Sequence, residues 1–390
     1  MSSMESWAAQ DLPPVKFSLP VLVADEMRYV REAMLGGHVH GDGPFTARCS
    51  EFLEHTLRCR KVLLTTSCTH ALEMAGLLLN LSEGDEVILP SFTFVSTATS
   101  LVRTGARLVF VDVRRDTLNL NEDLIEAAIS PRTRAIVLVH YAGVGCEMNQ
   151  FVEIAQKHGL SIIEDNAHGL FGKYEGKFLG TIGNLGCLSF HGTKNFTCGE
   201  GGALLVNDPA LIDRAEVIRE KGTNRRAFTE GRVDKYTWVD IGSSFLPSDV
   251  LAAFLLGQIE SWKDVQERRR RLWLNYYNAL SPVLEIRGVR LPLVPQQCEQ
   301  AYHMFYLLAR DSDDRNALLR FLRTRGIEAT FHYQPLHSSI AGRKYGRTLD
   351  DCPVTTEISG RLLRLPLHLA LEDDTQGRIV EAVSDFYRQV

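Results

Sequence analysis

A lysine occupies an unusual position, in a glycine-rich turn between two apolar runs that are typical of buried strands. Lys194 follows the run 185–190 in the segment LSFHGTKN, and Gly199 and Gly201 precede the run 202–206. The segment is not a GxGxxG fingerprint, and no helix is predicted directly after the glycines, so it does not indicate a dinucleotide site. A lysine between buried strands either reaches the surface or is desolvated. A desolvated amine with a lowered pKa is what Schiff-base chemistry requires.

An acidic pair and a histidine follow another apolar run, in the segment IIEDNAHG. Glu164, Asp165 and His168 lie at the carboxyl end of the strand predicted at 161–164. In open α/β sheets, ligands bind outside the carboxyl ends of the strands. Polar turn residues are also common at strand ends, so this group alone is weak evidence for function.

Hydroxyl-bearing residues connect the strand predicted at 61–65 to an apolar helix that is predicted to begin at Thr69. Ser67, Cys68 and Thr69 stand where free backbone N–H groups at the start of a helix form an anion site, with phosphate the usual ligand. Simple N-capping by Ser67 or Thr69 is the commoner role of such residues, and it remains open.

An aromatic segment, PSFTFVST, follows the apolar run 86–90. Because Phe92 and Phe94 alternate, one ring is expected to face the core and the other the crevice at the strand ends. The chain thus carries a phosphate cup, an aromatic ring, an acid with a histidine, and a lysine in a glycine-rich turn. A lysine for an aldimine, an acid for a pyridine nitrogen, a stacking ring and phosphate-binding hydroxyls are what pyridoxal phosphate needs.

The elements that position these residues are predicted from hydrophobic periodicity. Short runs rich in Val, Ile and Leu alternate with segments of helical spacing, which indicates a largely parallel sheet covered by helices on both faces. The predicted strands are 61–65, 86–90, 107–111, 135–140, 161–164, 185–190 and 202–206, and the helices are 24–35, 45–57, 69–81, 95–104, 121–129 and 149–158.

Beyond residue 205 the pattern changes. Helices are predicted at 211–221, 248–280, 315–325 and 375–388, and strands at 303–309 and 328–332. The fold class expected is α/β, with a large domain at 1–255 built on a seven-stranded, mostly parallel sheet. A smaller α+β domain is expected at 256–390.

The composition excludes several classes of protein. A chain of 390 residues with 45% apolar and 23% charged residues is typical of a globular protein with two domains. No apolar run approaches the roughly 20 residues that span a bilayer, and no secretory signal is found. The net charge of −5 gives no electrostatic footprint for nucleic acid. The eight cysteines lack the clustered spacing of a zinc site, so we expect no bound metal. Since neither a membrane span nor a secretory signal is found, we expect a cytosolic protein with a cytoplasmic location.

In their order along the chain, the motifs PSFTF, EDNAH, SFHGTKN and GEGG resemble those of the sugar aminotransferase family of the DegT/DnrJ/EryC1/StrS type, which are fold-type I pyridoxal-phosphate enzymes. The resemblance extends from GDGPFT near residue 41 to LLRLPLH at 362–368. It looks closest to the transaminases that act at C4 of TDP-4-keto-6-deoxyglucose in enterobacterial common antigen and calicheamicin-type pathways. It implies a homodimer with shared active sites, a TDP-sugar substrate, and L-glutamate as the amino donor that becomes 2-oxoglutarate, with no nucleic-acid or membrane partner.

The resemblance also implies roles for individual residues. Lys194 is similar to the family's Schiff-base lysine, and Asp165 looks like the acid that keeps the pyridine nitrogen protonated. His168 falls near the cofactor's 3′-oxygen, and Phe94 corresponds to the ring stacked on the cofactor. The other residues expected to bind the cofactor are Ser67, Cys68, Thr69, Ser189 and Ser244.

The chain departs from the family in one segment. Where the family commonly has an asparagine in a G-Y-N segment that reaches the phosphate across the dimer interface, this chain reads GSS at 242–244. Ser244, or Asn224 in the segment GTNRR, is expected to take that role. The segment FHYQPLH resembles the small-domain wall of the sugar site, with a structural role as the alternative. The candidates for substrate contact are His332, Tyr333, His337 and Asn224.

The expected reaction moves an amino group from L-glutamate to C4 of TDP-4-keto-6-deoxy-D-glucose and gives TDP-4-amino-4,6-dideoxy-D-glucose. The alternatives are the C4 epimer, TDP-4-amino-4,6-dideoxy-D-galactose, and a C3-keto sugar or a keto-cyclitol as acceptor. The excess of arginine over lysine fits a GC-rich actinomycete and favours the gluco product. A non-catalytic regulator that binds pyridoxal phosphate is the alternative from a different class. Such a protein would more often lack Lys194, Asp165 or the phosphate-binding hydroxyls.

Overall fold

The structure, a computed structural model, describes residues 13–389. Its strands are β1 (Lys61–Thr65), β2 (Glu86–Pro90), β3 (Arg107–Val111), β4 (Thr133–Val139), β5 (Ser161–Asp165), β6 (Lys173–Tyr174), β7 (Lys177–Phe178), β8 (Leu185–Ser189), β9 (Gly202–Val206), β10 (Cys298–Glu299), β11 (Phe305–Leu308), β12 (Gly346–Thr348) and β13 (Leu362–Leu365). Its α-helices are α1 (Glu26–Gly36), α2 (Pro44–Leu57), α3 (Cys68–Leu78), α4 (Val95–Val102), α5 (Ile125–Ala128), α6 (Met148–His158), α7 (Ile212–Arg219), α8 (Arg225–Thr229), α9 (Asp249–Glu260), α10 (Trp262–Leu284), α11 (Ser312–Thr324), α12 (Ile340–Tyr345), α13 (Pro353–Arg361) and α14 (Asp373–Gln389).

The central sheet has the strand order β1-β9-β8-β5-β4-β2-β3-β12. All seven predicted strands are present, and β12, a short strand from the C-terminal third of the chain, pairs parallel with β3 and adds an eighth. Only β9 runs against its neighbours, β1 and β8. Its first residue, Gly202, therefore lies at the edge where the other strands end. The predicted α/β class with a mostly parallel sheet is confirmed.

Apolar side chains on both faces of the sheet explain why its strands are continuous hydrophobic runs. Leu63 and Leu64 are neighbours on β1 and point to opposite faces. Leu63 belongs to the cluster that packs under α3 and α7, whereas Leu64 belongs to the cluster under α2 and α9. The ends of the strands are thereby held rigidly, which is what a site at the strand ends requires.

The C-terminal region has a hydrophobic core of its own. β11 pairs antiparallel with β13, and α10, α11 and α14 pack on this pair around Tyr276, Phe305 and Tyr387. The single helix predicted at 248–280 is two helices, because Ser261 leaves the helical conformation between α9 and α10. The predicted domain boundary at 255–256 falls within α9, and the division into two domains stays a prediction.

Two shorter elements differ from their prediction. No strand forms at 328–332, where only Thr330 pairs, with Arg364. The backbone N–H of Glu328 bonds instead to the carbonyl of Val15, so the N-terminal segment takes up the hydrogen-bonding groups that a longer strand would need. The helix predicted at 121–129 is α-helical only in α5, after a 3₁₀ turn. Within residues 13–389, every helix is too short or too polar to cross a membrane.

Candidate active site

A cavity of about 610 Å³ lies at the edge of the sheet where the parallel strands end. Its lining brings together ten of the residues singled out from the sequence, from positions that are far apart in the chain. They are Ser67, Cys68, Thr69, Phe94, Asp165, His168, Ser189, Lys194, His332 and Tyr333. The first eight lie at or beyond the ends of strands of the central sheet, and the last two come from the C-terminal region.

Lys194 reaches the cavity from the turn between β8 and β9. Its backbone N–H donates to the carbonyl of His191 at 2.9 Å, which fixes the turn. Burial lowers the pKa of Lys194 to about 8, although the nearby Cys68 and Asp165 act in the opposite direction. An amine with this pKa is partly neutral near pH 7, so it can act as a nucleophile or accept a proton.

Asp165 is the last residue of β5 and is 5% exposed. Thr97 donates its hydroxyl proton to Oδ2 at 2.7 Å, and the backbone N–H of Ala167 donates to Oδ1 at 3.2 Å. Burial raises the pKa of Asp165, because desolvation of the carboxylate outweighs the opposing effects of these two hydrogen bonds and of the nearby Lys194. A cation placed beside it would lower that pKa and be held by it.

Two histidine rings stack in the cavity lining. His168 and His303 have ring centroids 4.4 Å apart and planes 17° apart. His303 is oriented by Asn195, whose Oδ1 lies 2.9 Å from its Nδ1. The Nδ1 of His168 is buried and has no hydrogen-bond partner within residues 13–389. Burial also lowers the pKa of both histidines well below the usual value, so both rings are neutral at pH 7.

The start of α3 forms the hydroxyl-rich end of the cavity. Ser67 is the N-cap, and its Oγ accepts a hydrogen bond from the N–H of His70 at 3.1 Å. The hydroxyls of Thr69 and Ser96 are 2.8 Å apart. A Cβ on Gly202 would stand 2.3 Å from the carbonyl carbon of Ser67, so the absence of a side chain lets β9 approach this end. Capping and anion binding are therefore compatible here, since one helix start leaves several N–H groups free.

Phe94 stands at the mouth of the cavity as the N-cap residue of α4. Its side chain is 56% exposed, whereas Phe92 is buried. The alternation predicted from the sequence is therefore present. The free face of the Phe94 ring is available to a flat ligand.

The opposite wall contains residues that sequence reasoning did not single out. Arg364 on β13 lines the cavity, and its Nη1 donates to Nε2 of His332. The ring of Tyr333 stacks on His332 at 3.9 Å. Tyr141 is buried, and its hydroxyl lies 3.1 Å from Nδ1 of His332.

Unpredicted residues that also line the cavity include Phe17, His303 and Glu200. Tyr141 and Thr97 lie outside the lining and contact His332 and Asp165 respectively. Among these unpredicted residues, only Arg364 stands out in the sequence, as a charged residue within the apolar run LLRL.

Three predicted residues lie outside the cavity lining. Ser244 pairs through its backbone with Glu220. The side-chain amide of Asn224 bonds to backbone groups of Lys235 and Thr237. His337 lies behind the lining, with its Nδ1 2.6 Å from the hydroxyl of Ser91. Their predicted roles across a dimer interface or at the substrate stay predictions.

Pyridoxal phosphate fits the described residues on three observations. The start of α3 offers N–H groups and hydroxyls to a phosphate, and Gly202 leaves the room for it. The amine of Lys194 and the carboxylate of Asp165 share the cavity. The buried Nδ1 of His168 has no hydrogen-bond partner among these residues, and a polar ligand would supply one.

Comparison with known proteins finds similarity to aminotransferases and their relatives over nearly the whole chain. The model of the DegT/DnrJ/EryC1/StrS aminotransferase family matches residues 20–384. The spore coat polysaccharide biosynthesis protein SpsC of Bacillus subtilis (strain 168) is 30% identical over 380 residues, which cover 95% of this chain and 97% of that protein.

Two solved structures are similar in both sequence and fold. The aminotransferase TlmJ from Streptoalloteichus hindustanus is 31% identical, with a TM-score of 0.88 over 96% of this chain and 99% of that chain. A DegT DnrJ EryC1 StrS aminotransferase from Brucella abortus is 30% identical, with a TM-score of 0.85 over 93% of this chain and 95% of that chain. The protein therefore belongs to the DegT/DnrJ/EryC1/StrS aminotransferase family and is a sugar transaminase that depends on pyridoxal phosphate.

Proposed function

We propose that the enzyme transfers the amino group of L-glutamate to C4 of TDP-4-keto-6-deoxy-D-glucose and releases TDP-4-amino-4,6-dideoxy-D-glucose. One observation carries the catalytic part of the proposal: an amine with a pKa of about 8, on Lys194, shares one cavity with Asp165 and the hydroxyl-rich start of α3. The resemblance of the motifs to C4 transaminases supports the choice of sugar.

Pyridoxal phosphate, when bound, supplies an electron-withdrawing ring that carries the amino group from one substrate to the other. Lys194 would hold the cofactor before each turnover. Once free, its amine would take the proton from the α-carbon of the donor and later deliver a proton to C4 of the sugar. General acid–base work of this kind typically contributes ~10²–10⁴-fold to the rate.

The other cavity residues would position the cofactor. Asp165 would stand at the pyridine nitrogen and favour its protonated form, because the two charges then neutralise each other in a buried site. Ser67, Thr69 and Ser189 would donate hydrogen bonds to the phosphate, and Phe94 would cover one face of the ring. In this arrangement each residue acts by binding, orientation or proton transfer.

The configuration at C4 depends on which face of the flat ketone carbon receives the proton. Because the Lys194 amine approaches from one side of the cavity, the wall around His332 and Tyr333 must select the product by orienting the pyranose. We assign the gluco configuration on the arginine-rich composition, which fits a GC-rich genome. The galacto epimer, a C3-keto sugar and a keto-cyclitol are the alternatives.

The proposal includes a homodimer with shared active sites and a cytoplasmic location. Six large apolar side chains are exposed between residues 228 and 241, and among them Phe228 is 46%, Trp238 78% and Ile241 54% exposed. Exposed apolar surface of this kind is commonly covered by a protein partner. Asn224 and Ser244 flank the same stretch, so in the dimer one of them would reach the phosphate in the partner's site.

A substrate panel tests the reaction. The purified holoenzyme is incubated with L-glutamate and a set of TDP- and UDP-linked keto sugars, and amino-sugar products are detected by mass spectrometry. We expect product from TDP-4-keto-6-deoxy-D-glucose. Lys194→Ala should abolish turnover, and Lys177→Ala, which changes an exposed lysine, should not. Full activity of Lys194→Ala, or product only from other ketones, would refute the proposal.

Proton NMR of the product then assigns the configuration. An equatorial amine leaves the hydrogen on C4 axial, with large couplings to both neighbouring axial hydrogens. A small coupling to the hydrogen on C3 would instead identify the galacto epimer.

A further inference from the structure

A guanidinium lies in the active cavity and forms an ion pair with none of the carboxylates in residues 13–389. Arg364 is flanked on β13 by the buried Leu363 and Leu365 and lines the cavity that contains Lys194. Within residues 13–389, no carboxylate oxygen lies within 4.0 Å of its nitrogens. The buried Nε–H of Arg364 also has no hydrogen-bond partner among these residues.

Neutral groups hold this guanidinium in place. Nη1 of Arg364 donates to Nε2 of His332, so the ring proton of His332 is on Nδ1 and points to the hydroxyl of Tyr141 at 3.1 Å. Burial, helped by the charge of Arg364, keeps the pKa of His332 far below its usual value, and burial raises the pKa of Tyr141. The ring of Phe17 covers the guanidinium at 4.7 Å. None of these groups brings a negative charge.

A buried cation without a partner is costly, and a planar guanidinium matches a planar carboxylate with two parallel hydrogen bonds. The phosphate of the cofactor is provided for elsewhere in the cavity. A phosphate has the start of α3, and Asp165 is itself a carboxylate. The reacting ring of a keto sugar is neutral, whereas an amino-acid donor brings a carboxylate into the cavity and leaves as a 2-oxo acid that still carries it.

We propose that Arg364 binds a carboxylate of the amino donor and of the 2-oxo acid formed from it. The inference rests on the proposed transfer from an amino acid, and it adds the residue that distinguishes the donor from the sugar. His332 and Tyr141 are then positioning residues, because they hold the guanidinium in place and do not themselves bind the donor.

Calorimetric titration of the holoenzyme with 2-oxoglutarate tests this role, with TDP as a ligand that carries no carboxylate. Loss of hydrogen bonds to a charged group should make Arg364→Met bind 2-oxoglutarate about ten- to a hundredfold more weakly, with TDP affinity unchanged. Arg364→Lys keeps the charge and loses the two-pronged geometry, so it should fall in between. Arg323→Met, on the exposed side of α11, should bind both ligands as the wild type does.

Thermal unfolding separates a ligand-binding arginine from a structural one. Without ligand, Arg364→Met should unfold at the same or a higher temperature than the wild type, since an unpaired buried charge has been removed. Added 2-oxoglutarate should raise the unfolding temperature of the wild type and not that of the variant. Should Arg364→Met fail to fold, Arg364→Lys carries the test with the same expected direction.

Unchanged 2-oxoglutarate affinity in Arg364→Met, or an equal loss for both ligands, would overturn the assignment. These results are distinct from a failure of the proposed function. If the wild type accepts no amino-acid donor, the proposed function fails and this inference fails with it. If the wild type uses L-glutamate and the variant binds 2-oxoglutarate normally, only the inference fails.

Discussion

The two walls of the active cavity are built in different ways. On the sheet wall, the functional side chains stand at or just beyond the ends of strands. Asp165 is the last residue of β5 and Ser67 lies two residues after β1, so the sheet fixes their backbone. On the opposite wall, His332 and Arg364 come from a loop and a short two-stranded sheet that meet the N-terminal segment at Phe17.

The sheet wall collects the amine, the acid and the anion site, which are the parts of the chemistry that every substrate of such an enzyme needs. The opposite wall contains neutral aromatic rings and the guanidinium of Arg364, which has no carboxylate partner in the described part of the chain. We infer that the first wall determines the reaction and the second determines which substrates undergo it. Changes on the first wall should therefore affect cofactor binding, and changes on the second should affect substrates.

The largest effect is expected from Asp165→Asn, which removes one partner of a proposed buried ion pair while keeping the size of the side chain. Breaking such a pair costs roughly 3–5 kcal/mol, which corresponds to roughly a 150- to 5,000-fold weaker affinity for pyridoxal phosphate. Equilibrium dialysis of the cofactor measures it.

Asp112→Asn is the matched control for this variant. Asp112 is a buried carboxylate just after β3, outside the cavity, and its oxygens accept hydrogen bonds from Val354 and Thr355. This substitution should lower the free energy of unfolding and leave cofactor affinity unchanged. Equal cofactor affinity in the two variants would contradict the assignment of Asp165 to the pyridine nitrogen.

The reactivity of Lys194 is expected to depend on pH. Burial on the sheet wall lowers the pKa of Lys194 to about 8, so the neutral, reactive amine predominates above that pH and declines below it. Covalent capture of pyridoxal phosphate by the cofactor-free protein should therefore slow about tenfold for each pH unit below 8 and level off above it. Stopped-flow absorbance measures the rate. A midpoint at about 10.4, the pKa of an exposed lysine, would mean that the amine is not desolvated.

The difference between the walls also explains how far sequence reasoning reaches. The sequence places Lys194 and Asp165 together because each follows a strand of a predicted parallel sheet. Parallel strands end at the same edge of a sheet, whatever their order in it. The sequence does not place Arg364 beside them, because its contacts with His332 and Phe17 depend on tertiary packing that hydrophobic periodicity does not encode. For the same reason the strand predicted at 328–332 was wrong: Val15, from the other end of the chain, takes its hydrogen bonds.

A third variant tests whether the phosphate end of the sheet wall depends on close approach of the backbone. In Gly202→Ala the new Cβ would lie 2.3 Å from the carbonyl carbon of Ser67 and 2.4 Å from the nitrogen of Cys68. Relief of such a clash costs about 1–3 kcal/mol, and moving β9 from the start of α3 should weaken cofactor affinity. Denaturant unfolding and cofactor titration measure the two effects.

Gly377→Ala provides the opposite case within the same protein. Gly377 is an exposed residue of α14, and a Cβ there would meet nothing within 4 Å. Alanine should stabilise the helix by up to about 1 kcal/mol and leave cofactor affinity unchanged. If Gly202→Ala behaved like Gly377→Ala, the approach of β9 to α3 would not be what shapes the phosphate end.

The smallest effect is expected at His337, where the second wall is joined to the first. His337 does not line the cavity; its Nδ1 lies 2.6 Å from the hydroxyl of Ser91, directly after β2, and the preceding Leu336 donates its N–H to the carbonyl of Ser91. These bonds attach the loop that carries Tyr333 to the sheet. His337→Leu removes one of them, and a typical hydrogen bond contributes about 0.5–1.5 kcal/mol.

Loosening this loop should raise the KM for the sugar about two- to tenfold in His337→Leu, with kcat and the KM for L-glutamate nearly unchanged. His337→Asn keeps a polar group near the position of Nδ1 and removes Nε2, so it should behave almost as the wild type. Steady-state kinetics of the two variants separate the possible roles. A hundredfold increase in the KM for the sugar in His337→Asn would mean that the His337 ring contacts the sugar itself. The substrate wall would then include a residue that does not line the cavity.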